Sequence, residues 1–223
     1  MDARLLACAG LVRGERCADV GTDHGYLPIY LVNEGICRSA AACDINKKPL
    51  ASARANIIKA GLSDRIDFYL SNGLDSVPED GITDVVIAGM GGELIADIID
   101  RAPWIKTRRV NLVLQPMTKW DHLRRYLYDN RFKVTSETPC HSGRFVYSAL
   151  QAVYTGEMQD VVCDLSYLYY GTVTPDTADG IAYLSRQAKR LDTIGKALLG
   201  DPDRSDEAEL YLSAAGKWKH LIG

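Results

Sequence analysis

The stretch Cys17-Ala-Asp-Val-Gly-Thr-Asp-His-Gly-Tyr-Leu-Pro-Ile-Tyr-Leu-Val32 predicts a short buried strand, a turn that contains two glycines, and a helix. The strand prediction rests on the apolar run that ends at Val20, and the helix prediction on the apolar residues from Tyr26 onward. A strand, a glycine turn and a helix in this order bring backbone N–H groups and a helix N-terminus close to a ligand. The stretch therefore predicts the first unit of an α/β sheet, with a ligand site at its turn.

The same alternation of strands and helices continues along the chain. Further strands are predicted over 38–44, 65–70, 84–88 and 110–114, and further helices over 47–60, 93–100 and 120–129. Repeated strand–helix units favour a parallel sheet covered on both faces. Two strands, 132–137 and 144–154, then follow with only a loop between them. This ending is typical of a seven-stranded methyltransferase sheet with a reversed last strand, whereas a dinucleotide-binding fold would end on another helix.

Helical periodicity replaces this alternation after Gly156. One long helix is predicted from apolar residues at three- and four-residue spacing, namely Ile181, Leu184, Ala188, Leu191, Ile194 and Leu198. After a polar break at 200–206, Leu210, Ala214, Trp218 and Leu221 predict a second helix. The predicted fold is therefore α/β, a Rossmann-like seven-stranded methyltransferase sheet over 1–155 and a small, coiled-coil-like α-helical hairpin domain over 156–223. This hairpin is interpreted either as a packing or dimerisation arm or as part of a substrate-binding surface, and the oligomeric state is left open.

Composition narrows the class of protein. The 223 residues are 47% hydrophobic and 25% charged, contain no apolar run long enough to span a bilayer, and begin without a signal-peptide pattern. The six cysteines form no CxxC pair, which favours a reducing, cytoplasmic compartment and predicts no metal site. Residues 1–155 carry 19 Lys and Arg against 18 Asp and Glu, a near-neutral balance that neither indicates nor excludes a nucleic-acid partner.

The acidic centre of the first turn indicates the charge of its ligand. Asp23 stands where a GxGxxG motif would have a glycine close to the ligand, and its carboxylate would repel a pyrophosphate. It suits the positive ammonium and sulfonium groups of S-adenosylmethionine, which makes Asp19, Gly21 and Asp23 candidate cofactor residues. An alternative is that Thr22 or Asp23 caps the following helix.

The ends of the second and third predicted strands add candidates for an adenosine. Asp44 ends the second strand 23 residues after Gly21, the position from which an acid binds both ribose hydroxyls. A helix cap is the alternative interpretation of this aspartate. After the third strand, Ser71-Asn-Gly73 offers Asn72 as a hydrogen-bond partner for the adenine edge.

The fourth and fifth predicted strands end in residues suited to close backbone approach and base contact. Three glycines in Gly89-Met-Gly-Gly92 indicate a backbone that passes close to a ligand, or alternatively a tight strand-to-helix turn. Gln115 ends the fifth strand with an amide that can bind a base by two hydrogen bonds. No Asp/Asn-Pro-Pro-aromatic run follows the fourth strand, which disfavours methylation of an exocyclic amino nitrogen. Pro139-Cys140 lies between the last two predicted strands, away from the predicted site, and is not taken as a nucleophile.

Three segments taken together, Val20-Gly-Thr-Asp-His-Gly-Tyr-Leu-Pro28, Ile87-Ala-Gly-Met-Gly-Gly92 and Leu112-Val-Leu-Gln-Pro-Met117, resemble the bacterial tRNA (adenine(22)-N1)-methyltransferase family. The resemblance implies a Rossmann-like catalytic domain, a helical C-terminal domain, S-adenosyl-L-methionine as cofactor, and N1 of an adenosine in the D-arm region of tRNA as target. The family's motifs fall on Gly21, Asp23, His24 and Tyr26, on Asp44, on Ala88, Gly89, Met90, Gly91 and Gly92, and on Gln115 and Pro116. Two departures are Gly25, where the family usually has Ala, and a helical hairpin that is short and acidic.

The resemblance leads to a set of role assignments. N1 of adenine carries its own lone pair, so the enzyme mainly holds the base in line with the methyl group. Asp23, His24, Tyr26 and Gln115 are the candidate catalytic residues, and Gly73, Ala88, Gly89 and Met90 join the cofactor-binding set of Asp19, Gly21, Asp23, Asp44 and Asn72. Candidate phosphate contacts are Lys47, Lys48, Lys106, Arg108, Arg109, Lys119, Arg124, Arg125, Arg131 and Lys133. The alternative for each of these basic clusters is a solvated surface without a partner.

Three other functions stay open. The first is a methyltransferase of the same fold that acts on a small molecule, a protein or another RNA. The second is a cofactor- or RNA-binding module without turnover. The third is a dinucleotide oxidoreductase, which Asp23 and the terminal strand pair oppose.

Overall fold

A computed structural model describes the backbone of residues 1–222 and the side chains of residues 1–218. Its seven strands are β1 (Arg16–Val20), β2 (Ser39–Asp44), β3 (Ile66–Leu70), β4 (Asp84–Gly91), β5 (Asn111–Thr118), β6 (Phe132–Ser142) and β7 (Phe145–Tyr154). They form one sheet in the order β3-β2-β1-β4-β5-β7-β6, in which β7 runs antiparallel to both of its neighbours. The first five strands are parallel. The predicted seven-stranded sheet with a reversed last strand is thereby confirmed.

Helices cover the sheet and continue beyond it. They are α1 (Ala3–Ala9), α2 (Tyr26–Asn33), α3 (Lys47–Lys59), α4 (Gly92–Asp100), α5 (Trp104–Arg108), α6 (Trp120–Asp129), α7 (Leu165–Tyr170), α8 (Ala178–Leu198) and α9 (Ser205–Ile222). Of these, α5 and α7 are short helices that the sequence pattern does not predict. None of the helices in the described residues is both long and apolar enough to cross a membrane.

The sheet buries both of its faces, because consecutive residues in the middle of its central strands, such as Val85, Val86 and Ile87 of β4, are apolar. Along β4, Val85 and Ile87 face a cluster that includes Ile95 and Leu123 of α4 and α6. Val86, between them, faces the opposite cluster, which α1 and α2 complete. The carboxyl ends of the parallel strands β1, β2, β4 and β5 lie at one edge of the sheet, where ligands bind in such sheets.

Strand β6 is longer than predicted. It extends to Ser142, so the predicted loop before β7 is reduced to the two residues Gly143 and Arg144. Pro139 lies inside the strand, which is tolerated because β6 is the edge of the sheet and a proline there removes no ladder hydrogen bond from a central pair. The same extension places Cys140 within β6, opposite Tyr147, where its side chain is buried.

The C-terminal helices form a cluster of their own against the sheet. The predicted long helix is confirmed as α8, whereas Ile181 and Leu210 are 42% and 64% exposed and do not belong to the packed faces predicted for them. In α9 the predicted Ala214 is buried together with Ala208 and Ala215, and the predicted Trp218 packs against the same cluster. The predicted Leu221 lies outside the residues whose side chains are described. The division into domains at residue 155 stays a prediction.

A buried ion pair joins these helices to the sheet. Arg124 of α6 is 1% exposed and donates from Nη2 to Glu137 Oε2 at 2.6 Å, and from Nη1 to the Leu168 carbonyl at 3.0 Å. Its Nη2 also donates to the Tyr183 hydroxyl at 3.1 Å. The prediction that Arg124 contacts phosphate is therefore wrong, since its guanidinium is enclosed by partners from β6, α7 and α8.

Candidate active site

Two cavities open at the carboxyl edge of the sheet and meet at one glycine. The first, of about 250 Å³, lies between α1, the β1–α2 turn and the end of β4, and is lined by residues that include Arg4, Asp19, Thr22, Asp23, His24, Tyr26, Ala88 and Gly89. The second, of about 240 Å³, lies at the ends of β2 and β3 and is lined by residues that include Asp44, Asn72, Gly73 and Met90. Gly21 lines both. All the residues predicted to bind the cofactor thus line one or both cavities.

The turn after β1 is fixed to the end of β2. The backbone N–H groups of Gly21 and Thr22 both donate to the Cys43 carbonyl at 2.9 Å, and the Asp23 N–H donates to Asp44 Oδ2 at 3.4 Å. Gly21 has a φ of +74°, and a Cβ on it would lie 2.5 Å from Met90 Cε, so a larger residue would crowd the junction of the two cavities. The turn is therefore a backbone cradle that a side chain at Gly21 would partly fill.

Helix capping does not explain the polar residues of this turn. Gly25 is the N-cap of α2, and no side chain caps that helix, so the alternative that Thr22 or Asp23 caps it is wrong. Likewise, Asn46 is the N-cap of α3, and Asp44 Oδ1 accepts from the Asn46 N–H at 2.8 Å, which lies outside the helix. The carboxylates are left to face the cavities.

Two aspartates at this edge of the sheet are buried and have no ion-pair partner among the described residues. Asp19 is 4% exposed and Asp44 is 8% exposed, and no Lys, Arg or His of the described residues forms an ion pair with either. Burial, which outweighs a hydrogen bond from Thr22, and the negative charge of Asp44 together raise the pKa of Asp19 to about 6. A positively charged ligand in the first cavity would compensate the desolvated Asp19 carboxylate, so the donor set fits a cationic cofactor.

Three exposed side chains form the outer wall of the first cavity. His24 Nε2 lies 3.6 Å from Asp23 Oδ2, and the His24 ring stacks on the Tyr26 ring with centroids 5.4 Å apart at 27°. Asp23 adopts a left-handed φ of +51°, and Tyr26 is 52% exposed. The structure therefore brings the predicted Asp23, His24 and Tyr26 together as a polar and aromatic surface that is open to a substrate.

Gln115 lies behind the cavity instead of in it. Its side chain is fully buried: Oε1 accepts from the Gly89 N–H at 3.2 Å and from Arg4 Nη1 at 3.1 Å, while Nε2 donates to the Pro116 carbonyl at 3.0 Å. The pairing of β4 with β5 shifts register between Ala88 and Met90, and Gly89 at this bulge has a φ of +79°. Since both ends of the amide are engaged within the protein, Gln115 holds the Gly89 bulge in place and presents no free edge to a base in this arrangement.

Arg4 is a site residue that the sequence analysis misses. It lines the first cavity from α1, its Nη2 pairs with Asp2 at 2.7 Å, and its guanidinium carbon lies 5.8 Å from the centroid of the Tyr147 ring. No sequence signal points to it, because its partner Gln115 is 111 residues away along the chain.

Two of the candidate phosphate contacts are bound to other groups of the protein. Arg108 pairs with Glu79 and Asp80, and Arg125 donates to the Cys163 carbonyl. His141 contacts Asp179 at the surface. Across the described residues, no group of three or more His, Cys, Asp or Glu side chains is arranged to hold a metal ion.

Comparisons with known proteins agree with this geometry. A family model described as a methyltransferase domain matches residues 1–150. The chain is 34% identical over 139 residues to the Bacillus subtilis tRNA (adenine(22)-N(1))-methyltransferase, an alignment that covers 62% of this chain and 58% of that relative. It therefore spans less than two thirds of the length of that relative.

Solved structures match over nearly the whole chain. The structure of M. capricolum TrmK in complex with S-adenosyl-homocysteine superposes with a TM-score of 0.82 at 25% identity, covering 100% of this chain and 99% of that one. Streptococcus pneumoniae Sp1610 in complex with S-adenosyl-L-methionine superposes with a TM-score of 0.83 at 28% identity, covering 100% of both chains. The chain belongs to the methyltransferase-domain family, and its similarity to a bacterial tRNA (adenine(22)-N(1))-methyltransferase agrees with the resemblance of its motifs.

Proposed function

We propose that this chain transfers a methyl group from S-adenosyl-L-methionine to N1 of an adenosine, at position 22, in tRNA. The observation that carries the proposal is the pair of cavities that meet at Gly21, with the buried and unpaired carboxylates of Asp19 and Asp44 facing them. The name of the B. subtilis relative supports the substrate, and the cofactor product bound by M. capricolum TrmK supports the cofactor.

The second cavity is assigned to the adenosine half of the cofactor. Asp44 retains acceptor capacity beyond its hydrogen bonds from the Asn46 and Asp23 N–H groups, which suits two ribose hydroxyl donors. Asn72 is exposed at the rim of the cavity and is assigned to the adenine edge, while Gly73 and Met90 supply close backbone and apolar contact.

The first cavity is assigned to the charged half of the cofactor and to the target base. Asp19, Ala88 and Gly89 line this cavity and would hold the charged half of the cofactor, whose positive charge the Asp19 carboxylate would compensate. When bound, the cofactor supplies an electrophilic methyl carbon on a sulfonium, which the N1 lone pair attacks while the carbon–sulfur bond breaks. Because N1 needs no deprotonation, the work of the protein is to hold the base in line.

The wall residues are assigned to this positioning. Tyr26 offers a ring face, backed by the His24 ring, on which a base taken out of its helix can stack. The Asp23 carboxylate faces the positive charge that develops on the methylated adenine, and His24 beside it can accept a proton from that product. Gln115 acts through the Gly89 bulge as a positioning residue.

We further propose that the protein works in the cytoplasm on free tRNA. All six cysteines are free thiols, and five of them are buried, a state that a reducing compartment maintains.

A gene-deletion experiment tests the proposed activity. Mass spectrometry of nucleosides from the tRNA of a deletion strain should show loss of 1-methyladenosine, restored by the wild-type gene and not by a gene that encodes Asp44→Ala. Retention of 1-methyladenosine, with loss of a methyl group from a small molecule or another RNA, would instead support a methyltransferase with a different acceptor. A protein that binds S-adenosyl-L-methionine without any transfer would be a binding module.

A further inference from the structure

We infer that a surface of paired arginine and aromatic side chains beside the first cavity binds unpaired nucleotides of the substrate RNA. We name this surface the arginine–aromatic face; it is formed by Trp120, Arg144, Phe145, Tyr147, Arg186 and Arg190. The inference rests on the proposed function, because it assigns a binding surface to the RNA that the site would methylate.

Three arginines of this face lie against aromatic rings. The Arg190 guanidinium carbon lies 4.7 Å from the centroid of the Trp120 ring. Two guanidinium groups lie over the Phe145 ring, that of Arg144 at 5.0 Å and that of Arg186 at 5.5 Å from its centroid. Phe145 is 41% exposed although it is apolar, and Arg186 is held in place by an Nη1 hydrogen bond to the Val146 carbonyl at 2.8 Å. The rings thus order the arginines at the surface in advance of binding.

The face is continuous with the proposed base-binding wall. Arg4 lines the first cavity, lies over the Tyr147 ring, and places Nη1 3.4 Å from Met117 Sδ. Met117 and Tyr147 line a cleft together with Trp120 and Arg186. A strand of RNA with one base in the first cavity can therefore extend past Arg4 and Tyr147 to the arginines of the turn between β6 and β7 and of α8.

The charges of this face are available to a ligand. In the described part of the chain, no Asp or Glu lies within ion-pair distance of Arg144, Arg186 or Arg190, whereas Arg16, Arg38 and Arg101 on other surfaces are each paired with an acid. The neighbouring Asp192 is itself bound by Lys196 at 2.8 Å.

Most acids of the helical hairpin lie away from this face. Five of the seven acids of α8, α9 and the turn between them are concentrated around that turn, namely Asp201, Asp203, Asp206, Glu207 and Glu209. The other two, Asp179 and Asp192, contact His141 and Lys196. Arg190 lies eight residues before the end of α8, which at about 1.5 Å per residue separates it from that turn by roughly 12 Å along the helix. This exceeds the Debye length of about 8 Å at physiological ionic strength. The acidic composition of the hairpin therefore does not cancel the positive charge of the face.

Exposed rings next to unpaired guanidinium groups are suited to RNA that is not in a duplex. Splayed nucleotides stack on aromatic rings and on arginine planes, while their phosphates bind the guanidinium N–H groups. A base that enters the first cavity has to leave its helix, which unstacks its neighbours and makes their faces available.

Single-residue variants on two surfaces test the inference. Arg190→Ala and Phe145→Ala remove exposed side chains of the face, and Arg54→Ala is the matched control, since Arg54 is also exposed and lies 5.9 Å from an aromatic ring, Phe68, near the opposite edge of the sheet. Fluorescence anisotropy with a labelled unmodified tRNA measures binding directly, without turnover. We expect each face variant to weaken tRNA binding about tenfold, as for loss of one stacked base, with unchanged affinity for S-adenosyl-L-methionine and unchanged Tm. Arg190→Ala should also make tRNA binding less sensitive to salt. The slope of log affinity against log salt concentration should become smaller in magnitude by about 0.7–0.9.

The outcomes separate the inference from the proposed function. Binding by Arg190→Ala and Phe145→Ala equal to that of Arg54→Ala would overturn the inference even if the wild-type enzyme methylates tRNA. Weaker tRNA binding by Arg190→Ala with unchanged tRNA binding by Phe145→Ala would also overturn the inference, because stacking of a base requires the aromatic ring. A third outcome is that the wild-type protein binds tRNA, the face variants do not, and no 1-methyladenosine forms. In that case the arginine–aromatic face binds RNA as inferred, and the proposed function is wrong. Absence of tRNA binding by the wild-type protein would overturn both.

Discussion

Arg4 and Gln115 are 111 residues apart in sequence and are joined by a hydrogen bond of 3.1 Å from Nη1 to Oε1. The same oxygen accepts the Gly89 N–H at 3.2 Å, so one buried amide connects α1 with the bulge at the end of β4. Helix α1 is thereby part of the active-site wall.

A double-mutant cycle tests this connection. Arg4→Ala and Gln115→Ala should each lower kcat/KM for methyl transfer, because each loosens the position of Gly89. Since both act through one contact, the double variant should be little worse than the poorer single variant, with a coupling of about 0.5–3 kcal/mol. Losses in kcat/KM that add fully would show that the two residues act independently.

Asp44 is expected to account for much of the affinity for the cofactor. Replacing it by Ala removes charge-assisted hydrogen bonds worth about 1.5–3 kcal/mol, which corresponds to about a 10- to 100-fold increase in the Kd for S-adenosyl-L-methionine. Isothermal titration calorimetry measures this change. Asp44→Asn should lie between the wild type and Asp44→Ala, since it keeps one acceptor oxygen, and the exposed Asp64→Ala should leave the Kd unchanged. A normal Kd in Asp44→Ala would refute the assignment of the second cavity to the adenosine.

Asp19 should destabilise the free protein while it favours cofactor binding. Its folded-state pKa of about 6 lies above its ordinary value of 3.8, so between these pH values the folded state holds the extra proton. The stability of the free protein should therefore fall as pH rises through this window and remain lower above it. We expect Asp19→Asn to be more stable than the wild type at pH 7.5 by about 1–3 kcal/mol, with a smaller difference at pH 4.5, and to bind the cofactor more weakly.

Urea unfolding of the cofactor-free protein at both pH values measures the effect of Asp19. Asp64→Asn, which changes an exposed acid, is the control and should show no such pH-dependent gain. A stability gain in Asp19→Asn that is the same at both pH values would rule out the raised pKa as its cause.

The buried pair of Arg124 and Glu137 should contribute more to stability than any exposed pair. Burial alone would lower the pKa of Arg124, but the Glu137 carboxylate outweighs it and raises that pKa, so the guanidinium stays charged. Arg124→Met leaves Glu137 buried and uncompensated, at a cost of about 3–5 kcal/mol in the free energy of unfolding.

Denaturant unfolding with a matched pair checks this expectation. Arg204 and Glu207 form an exposed ion pair at 2.7 Å, and Arg204→Met should cost at most about 1 kcal/mol. Arg124→Met combined with Glu137→Leu should recover part of the lost stability, because no lone charge is then buried. Equal stability of Arg124→Met and Arg204→Met would contradict the account.

Strands, and residues at the ends of strands, are predictable from the sequence because they depend on the local pattern of apolar residues. Apolar runs such as the one before Val20 locate the strands, because a strand buried on both faces requires them. Asp44 and Asn72 are found because the ends of parallel strands share one edge of the sheet, so position along the chain implies position in the site.

Residues whose roles depend on distant partners are not predictable in this way. Arg124 follows a typical surface pattern, and only the placement of Glu137 and Tyr183 around it explains its burial. Gln115 is correctly expected at the sheet edge, but the direction of its amide depends on Arg4 from the other end of the domain. The arginine–aromatic face likewise draws on α6, β7 and α8, and no short segment contains its pattern.

Methyl transfer to a defined nucleotide is the most direct measurement of the central claim. Purified protein is incubated with isotope-labelled S-adenosyl-L-methionine and two tRNA transcripts that differ only in adenosine or guanosine at position 22. The account predicts labelled 1-methyladenosine from the first transcript and no label in the second, and loss of transfer with Asp44→Ala. Equal labelling of both transcripts, or a methyl group found on another atom or nucleoside, would contradict it.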